Sequence, residues 1–205
     1  GRLLSLESLL GDTYAYTNTD GSIKKQLFRL PLTDWLIKGV TANDIYLQSK
    51  SQADNSGWLY RVKISDGTYK KVLGDLKGLE VTINPPATII VGTYYTNGQA
   101  ESFAYYPKTN KTEKLSYLVN DEKCAWNKTG DNLWCFIPKQ KTSFHPGFWR
   151  QGLIENTDDL IMLSWDNQNL VGSESFAWVT TNDQIDAIKT AIKENKLFFL
   201  NNKDY

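Results

Sequence analysis

An all-β fold of repeated antiparallel sheets is predicted by three features of this 205-residue chain. A strand, a tight turn and a second strand recur at a spacing of roughly 44 to 46 residues. The turns are of hairpin chemistry, with Asp20-Gly21 and Asp66-Gly67 the clearest. The composition suits strands: seven Trp, eleven Tyr and eight Phe stand against one Met. A four-stranded repeat of that length is one blade of a β-propeller.

The strands follow in order from alternation and punctuation. Residues 13–17 and 25–30 form an opening hairpin, turning at Asp20-Gly21 and ending at the Pro31 break; in the inner-to-outer strand order a to d they are strands c and d. The spans 35–40, 44–49, 58–64 and 68–73 make a complete blade. Another is 79–83, 88–95, 101–106 and 113–117. A third is 123–126, 133–137, 160–165 and 170–172, with an insertion over 139–158 between its second and third strands. Two further strands follow at 187–193 and 197–201. Ile185, Ile188 and Ile192 also fit a short helix, but an a–b hairpin agrees better with the repeat.

The whole chain, 1–205, reads as one propeller domain. Two readings of its blade number fit. Opening on c–d and closing on a–b describes a ring of about four blades that shares one blade between its ends. The other reading is the C-terminal portion of a larger propeller whose earlier blades are absent, with an open face that invites self-association.

With 23 basic and 23 acidic residues the chain has no net charge to attract nucleic acid or an anionic membrane. The pairs Lys24-Lys25 and Lys70-Lys71 read as solvated edge residues. No apolar run reaches the roughly 18 to 20 residues of a membrane span.

Cys124 and Cys135 flank a hairpin that turns at 128–131. A turn symmetrical about Thr129-Gly130 sets the two thiols directly opposite one another, within reach of a disulfide. A four-residue loop makes this a non-hydrogen-bonded pair, a two-residue loop a hydrogen-bonded one. The competing reading is two buried free thiols. A disulfide implies an oxidising compartment. Two thiols without further His or Cys at ligand spacing do not make a metal site.

No catalytic set is expected. The single histidine, His145, lies in Ser143-Phe-His-Pro-Gly-Phe-Trp on the insertion, where the Pro146-Gly147 turn suits a structural or surface role. Gly172-Ser-Glu-Ser is no nucleophile elbow, and neither phosphate-loop nor dinucleotide glycine spacing occurs. Asp121-Glu122 and Asp158-Asp159 make poor catalytic dyads, because adjacent strand residues point to opposite faces, and they read as turns and solvated ends. No cofactor and no metal are expected.

The insertion is the best candidate for recognition. Phe144, His145, Phe148, Trp149 and Arg150 place aromatic and guanidinium groups on a loop that a rigid sheet scaffold can present. The plainer reading has Phe148 and Trp149 folding back to cap the blade strands.

The stretch 14–27, with its Asn18-Thr-Asp-Gly-Ser turn, resembles the strand–turn–strand unit of TolB-like and WD40-like bacterial propellers, as does 57–73. The cysteine hairpin, followed by Phe148-Trp-Arg-Gln-Gly and the terminal Leu197-Phe-Phe-Leu-Asn-Asn-Lys-Asp, is similar to the later blades of uncharacterised exported bacterial propellers. That resemblance brings no catalytic residues. The usual Ser-Pro-Asp-Gly turn between strands a and b is replaced here by Asn84-Pro85-Pro86, by 127–130 and by Glu194-Asn195. The expected function is a non-enzymatic, extracytoplasmic binding propeller for a protein or cell-envelope component. Its alternatives are the accessory propeller of a serine-peptidase-type enzyme, with its catalytic domain outside this chain, and a purely architectural fragment.

Overall fold

The computed structural model describes residues 3–18, 25–31, 34–51, 54–139, 149, 157–167, 169–176, 185–194 and 196–201. They form five consecutive antiparallel blades. Blade one is β1 (Leu3–Leu9), β2 (Asp12–Asn18) and β3 (Lys25–Pro31). Blade two is β4 (Trp35–Val40), β5 (Asp44–Ser49), β6 (Ser56–Lys63) and the first half of β7 (Tyr69–Ile83). Blade three begins with the second half of β7 and continues through β8 (Ile90–Thr96), β9 (Gln99–Tyr106) and β10 (Lys111–Lys114). Blade four is β11 (Cys124–Trp126), β12 (Asn132–Pro138), β13 (Asp158–Asp166) and β14 (Asn169–Phe176). Blade five is β15 (Ala187–Lys193) with β16 (Lys196–Asn201).

The inner strands mark the propeller. β4 touches β7, β7 touches β11, and β11 touches β15, each blade following the last around one side of a common axis. The apolar clusters sit between successive blades. Ala15, Phe28 and Leu30 of blade one meet Ile45, Leu47 and Val62 of blade two. Tyr46 and Leu59, on the other face of blade two, meet Leu79, Val81, Phe103 and Tyr105 of blade three. Val91 and Tyr106 then meet Leu133, Ile161 and Trp165 of blade four, and Phe136 and Leu160 meet Ala187 of blade five. Each central strand is therefore buried on both faces, which is why 45–47 and 133–137 read as near-continuous apolar runs. Each such side chain, fully buried, contributes about 1.5 to 3 kcal/mol.

Polar side chains bind blade to blade where backbone ladders cannot. Gln48, buried in β5, donates from Nε2 to the Leu79 carbonyl at 2.9 Å and accepts from the Val81 amide at 2.9 Å. Trp165 Nε1 donates to the Tyr106 hydroxyl at 3.1 Å, which itself donates to Glu113. Burial first, and the Glu113 contact second, push the Tyr106 phenol up to about 12.

The structure departs from the sequence expectation in three places. Blade one has three strands, not two: β1 pairs with β2 along its whole length, from Leu3 opposite Asn18 to Leu9 opposite Asp12. Its leucines, weak strand formers with no β-branched neighbour, gave no strand signal. The strands at 68–73 and 79–83 are one strand, β7, which pairs with β6 as far as Lys77 and with β8 from Lys77 onward. Asp75 and Gly78 take positive φ at that handover. Residues 187–193 form the strand that the repeat favours over a helix, β15, with a bulge at Lys189. Finally, among the described residues β1–β3 and β15–β16 are separate sheets that share no blade, against the closed-ring reading.

Candidate functional site

The insertion leaves the sheet at the end of β12 and returns at the start of β13. Its root is closed by the backbone, the Lys139 amide donating to the Thr157 carbonyl at 2.9 Å. Within it Trp149 is buried, 3% exposed, packed with Leu118, Ala100 and Ile188.

Around that indole is a sealed charge cluster. Lys123 ends a short 3-10 turn, Asp121–Lys123, whose start is capped by the Asn120 side chain accepting from the Glu122 amide. The Lys123 ammonium donates to Asp158 at 2.6 Å and to Asp186 at 2.5 Å, with all three side chains excluded from solvent. It lies 4.4 Å from the centre of the Trp149 ring, and Trp149 Nε1 donates to Asp186 at 2.8 Å. Asp158 also accepts from the Ala187 amide at 2.9 Å, tying β13 to β15. Burial raises the Asp158 pKa, against the opposing pull of Lys123.

The same turn reaches back to blade two. Lys38 falls at the β-bulge between Ile37 and Gly39, which takes its side chain out of the regular alternation and pairs it with Asp121. One turn of chain thus joins the inner strands of blades two, four and five.

Cys124 and Cys135 form a disulfide between directly opposed residues, their Cα atoms 4.1 Å apart. Four residues, 128–131, separate the Asn127 amide from the Asn132 carbonyl to which it bonds, so by alternation the cysteines occupy a non-hydrogen-bonded position. Both face the core between blades three and four.

At the opposite end of the strands, the a–b turns are capped by side chains. Asn84 Oδ1 accepts from the Thr88 and Ile89 amides, and Asn127 Oδ1 from the Gly130, Asp131 and Asn132 amides. Asn84 Nδ2 donates across to the Gly130 carbonyl at 2.9 Å. The missing Ser-Pro-Asp-Gly turn is therefore replaced by asparagine capping that also joins blades three and four.

Of the expected recognition residues, Trp149 is a buried anchor, as the capping reading has it. Phe144, His145, Phe148 and Arg150 lie outside the described residues. The acidic pairs need correction: Asp158 is not a solvated end but a sealed partner of Lys123, and Asp121 is largely buried against Lys38. Their partners are 35 and 83 residues away in sequence, and nothing local announces them. Among the described residues, no group of three or more His, Cys, Asp or Glu is placed to hold a metal, and no helix is long and apolar enough to cross a membrane.

Blades that follow one another around an axis, with a core layer between each pair, define a β-propeller. Solved structures bear this out at the level of fold. TolB from Acinetobacter baumannii superposes with a TM-score of 0.64 at 14% identity, over 97% of this chain and 46% of that one. An uncharacterised protein from Listeria monocytogenes EGD-e gives 0.60 at 13%, over 98% of this chain and 56% of that one. The tricorn protease gives 0.56 at 10%, over 97% of this chain and 19% of that one. This chain thus spans about half, or less, of the proteins it resembles. No family model and no curated protein matches the sequence.

Proposed function

We propose that this chain is a non-enzymatic, extracytoplasmic propeller module that binds a protein or cell-envelope component on the face where the 139–158 insertion leaves the sheets. The observation that carries the reading is the anchoring of Trp149 in the Lys123–Asp158–Asp186 cluster. The buried Trp149 ties one point of the insertion to the protein's own inner strands, and a contact surface tied to a rigid scaffold binds with less ordering cost. The buried disulfide supports an oxidising compartment, and a TolB-like fold supports a scaffold or binding role.

Affinity capture from a cell-envelope extract, with bound proteins identified by mass, tests it. A specific partner is expected for the native chain, lost in Phe148→Ala/Arg150→Ala while the melting curve is unchanged. Capture unaffected by both that variant and Trp149→Ala removes the insertion from the interface. A second reading, an accessory propeller beside a peptidase domain, has a fold precedent in the tricorn protease. Labelling the full-length gene product with a fluorophosphonate separates the two, since only the second expects a reactive serine.

A further inference from the structure

At the end of blade two away from the insertion, the a–b turn at 41–43 and the c–d turn at 64–67 enclose a cleft of about 510 Å³. Ala42 and Ile64 give it apolar wall, and Asn43, Asp44, Arg61 and Lys63 give it polar groups. That volume suits a small molecule, not a lone ion. Hydrogen bonds fix its rim. Thr41 Oγ1 accepts from the Asn43 and Asp44 amides at 3.3 and 3.0 Å, and the Ile64 amide donates to the Asn43 carbonyl at 2.9 Å, so the two turns hold each other in place.

Register gathers positive charge beside that cleft. Lys63 stands opposite Asp44, Arg61 opposite Tyr46, and Lys70 opposite Arg61, so these residues share the face of blade two that Tyr46 turns towards blade three. Like charges directly opposed across two strands destabilise a sheet. Lys71, the next residue, takes the other face and has Asp75 at 3.7 Å. Among the described residues neither Lys63 nor Lys70 forms an ion pair, and Arg61 meets Asp44 only at 3.8 Å, through Nε. The other carboxylate of these turns, Asp66, is taken up by Thr68, accepting from its amide at 2.8 Å and its hydroxyl at 2.6 Å. Three cations thus stand beside two carboxylates, one negative charge short of balance.

We propose that this cleft binds a ligand bearing a single carboxylate, with Arg61 and Lys63 holding the anion and Ala42 and Ile64 covering the adjoining carbon skeleton. One carboxylate supplies the charge the face lacks, and a guanidinium beside an ammonium suits its two oxygens. Asp44 in the same wall sets a limit, since a dianion such as phosphate brings a second negative charge against it. The opposed Arg61 and Lys70 then have a physical reason: their repulsion is relieved when the anion arrives, so the empty site gives up stability for binding. The site lies at the other end of the strands from the insertion and does not rest on the partner face proposed there.

Amide chemical shifts of the native chain, titrated with N-acetylalanine, with its uncharged amide, with acetate and with inorganic phosphate, test this. Saturable shifts at 43–44 and 61–65 are expected with N-acetylalanine at a dissociation constant on the order of 1 mM. None is expected with the amide, and phosphate is expected to bind more weakly. Arg61→Gln and Lys63→Gln are each expected to weaken binding by about tenfold; Lys63 is exposed, so its variant reads the site without disturbing the core. Lys70→Gln is expected to raise the melting temperature while weakening binding by roughly threefold, a pairing of signs that a merely structural lysine would not produce. Acetate weaker than N-acetylalanine supports a peptide terminus as the source of the carboxylate, and equal binding supports a free acid. Absence of saturable shifts at these turns overturns the proposal, as do shifts of equal size from the uncharged amide or tighter binding of phosphate. Partner capture through the insertion is expected to be unchanged in Arg61→Gln, so the two readings stand or fall separately.

Discussion

Lys123 and Asp158 form an ion pair sealed completely from solvent, the ammonium 2.6 Å from the carboxylate oxygen. Asp186 shares the same ammonium from the next blade. Removing the cation leaves two buried carboxylates without compensation, an error far costlier than loss of an exposed pair. Lys123→Met is expected to destabilise the chain by about 3 to 5 kcal/mol in urea unfolding. Lys50→Met, which breaks only the exposed pair with Asp34, is expected to change little.

Asp158 also sets a pH signature. Its folded pKa is raised by burial, so the native state binds the proton more tightly than the unfolded chain, whose value is 3.8. Its contribution is fully present below 3.8 and is lost as pH rises through the folded value. Asp131 has the opposite sign: hydrogen bonds from Asn127, then Thr129, lower its pKa, so its contribution is present above 3.8 and lost as pH falls through the folded value. Asp158→Asn is expected to abolish the first slope and leave the second. Unfolding free energies against pH for the two proteins check this; identical slopes would show that Asp158 does not titrate between the states.

The disulfide closes a short hairpin and both sulfurs are buried. Cys124→Ser/Cys135→Ser is expected to lower stability by about 3 kcal/mol or less. In the native protein the bond is expected to resist mild reductant until the blades open, so thiol release should follow the unfolding rate and not reductant concentration.

Two b–c connections provide an internal comparison. Asn97-Gly98 and Leu10-Gly11 both turn in two residues with positive φ, 51° and 76° for the first pair, 52° and 86° for the second. Asparagine tolerates that region; leucine strains in it, and Leu10 is 93% exposed. Leu10→Asn is expected to stabilise the chain by about 1 kcal/mol. A melting temperature that falls would show that Leu10 makes a contact outweighing its strain.

The blades were legible in the sequence because turn chemistry and apolar runs are local. The spans 35–40 and 44–49 coincide with β4 and β5, and the cysteine register follows from the length of one loop. The candidate site was not legible, for a physical reason. Lys38, Lys123, Asp158 and Asp186 look like surface residues one at a time, and they become buried only when strands from three blades bring opposite charges together. Trp149 shows the limit most clearly: its residue type suggested an interface anchor, and its anchor is the protein's own Asp186.

β7 makes blades two and three mechanically inseparable. A single uninterrupted run of fifteen residues is the rim of one sheet and the hub of the next. A tug that peels its first half from β6 is transmitted along the same covalent backbone to the half bonded to β8. Fraying at either place therefore propagates to the other, and the pair melts as one cooperative unit.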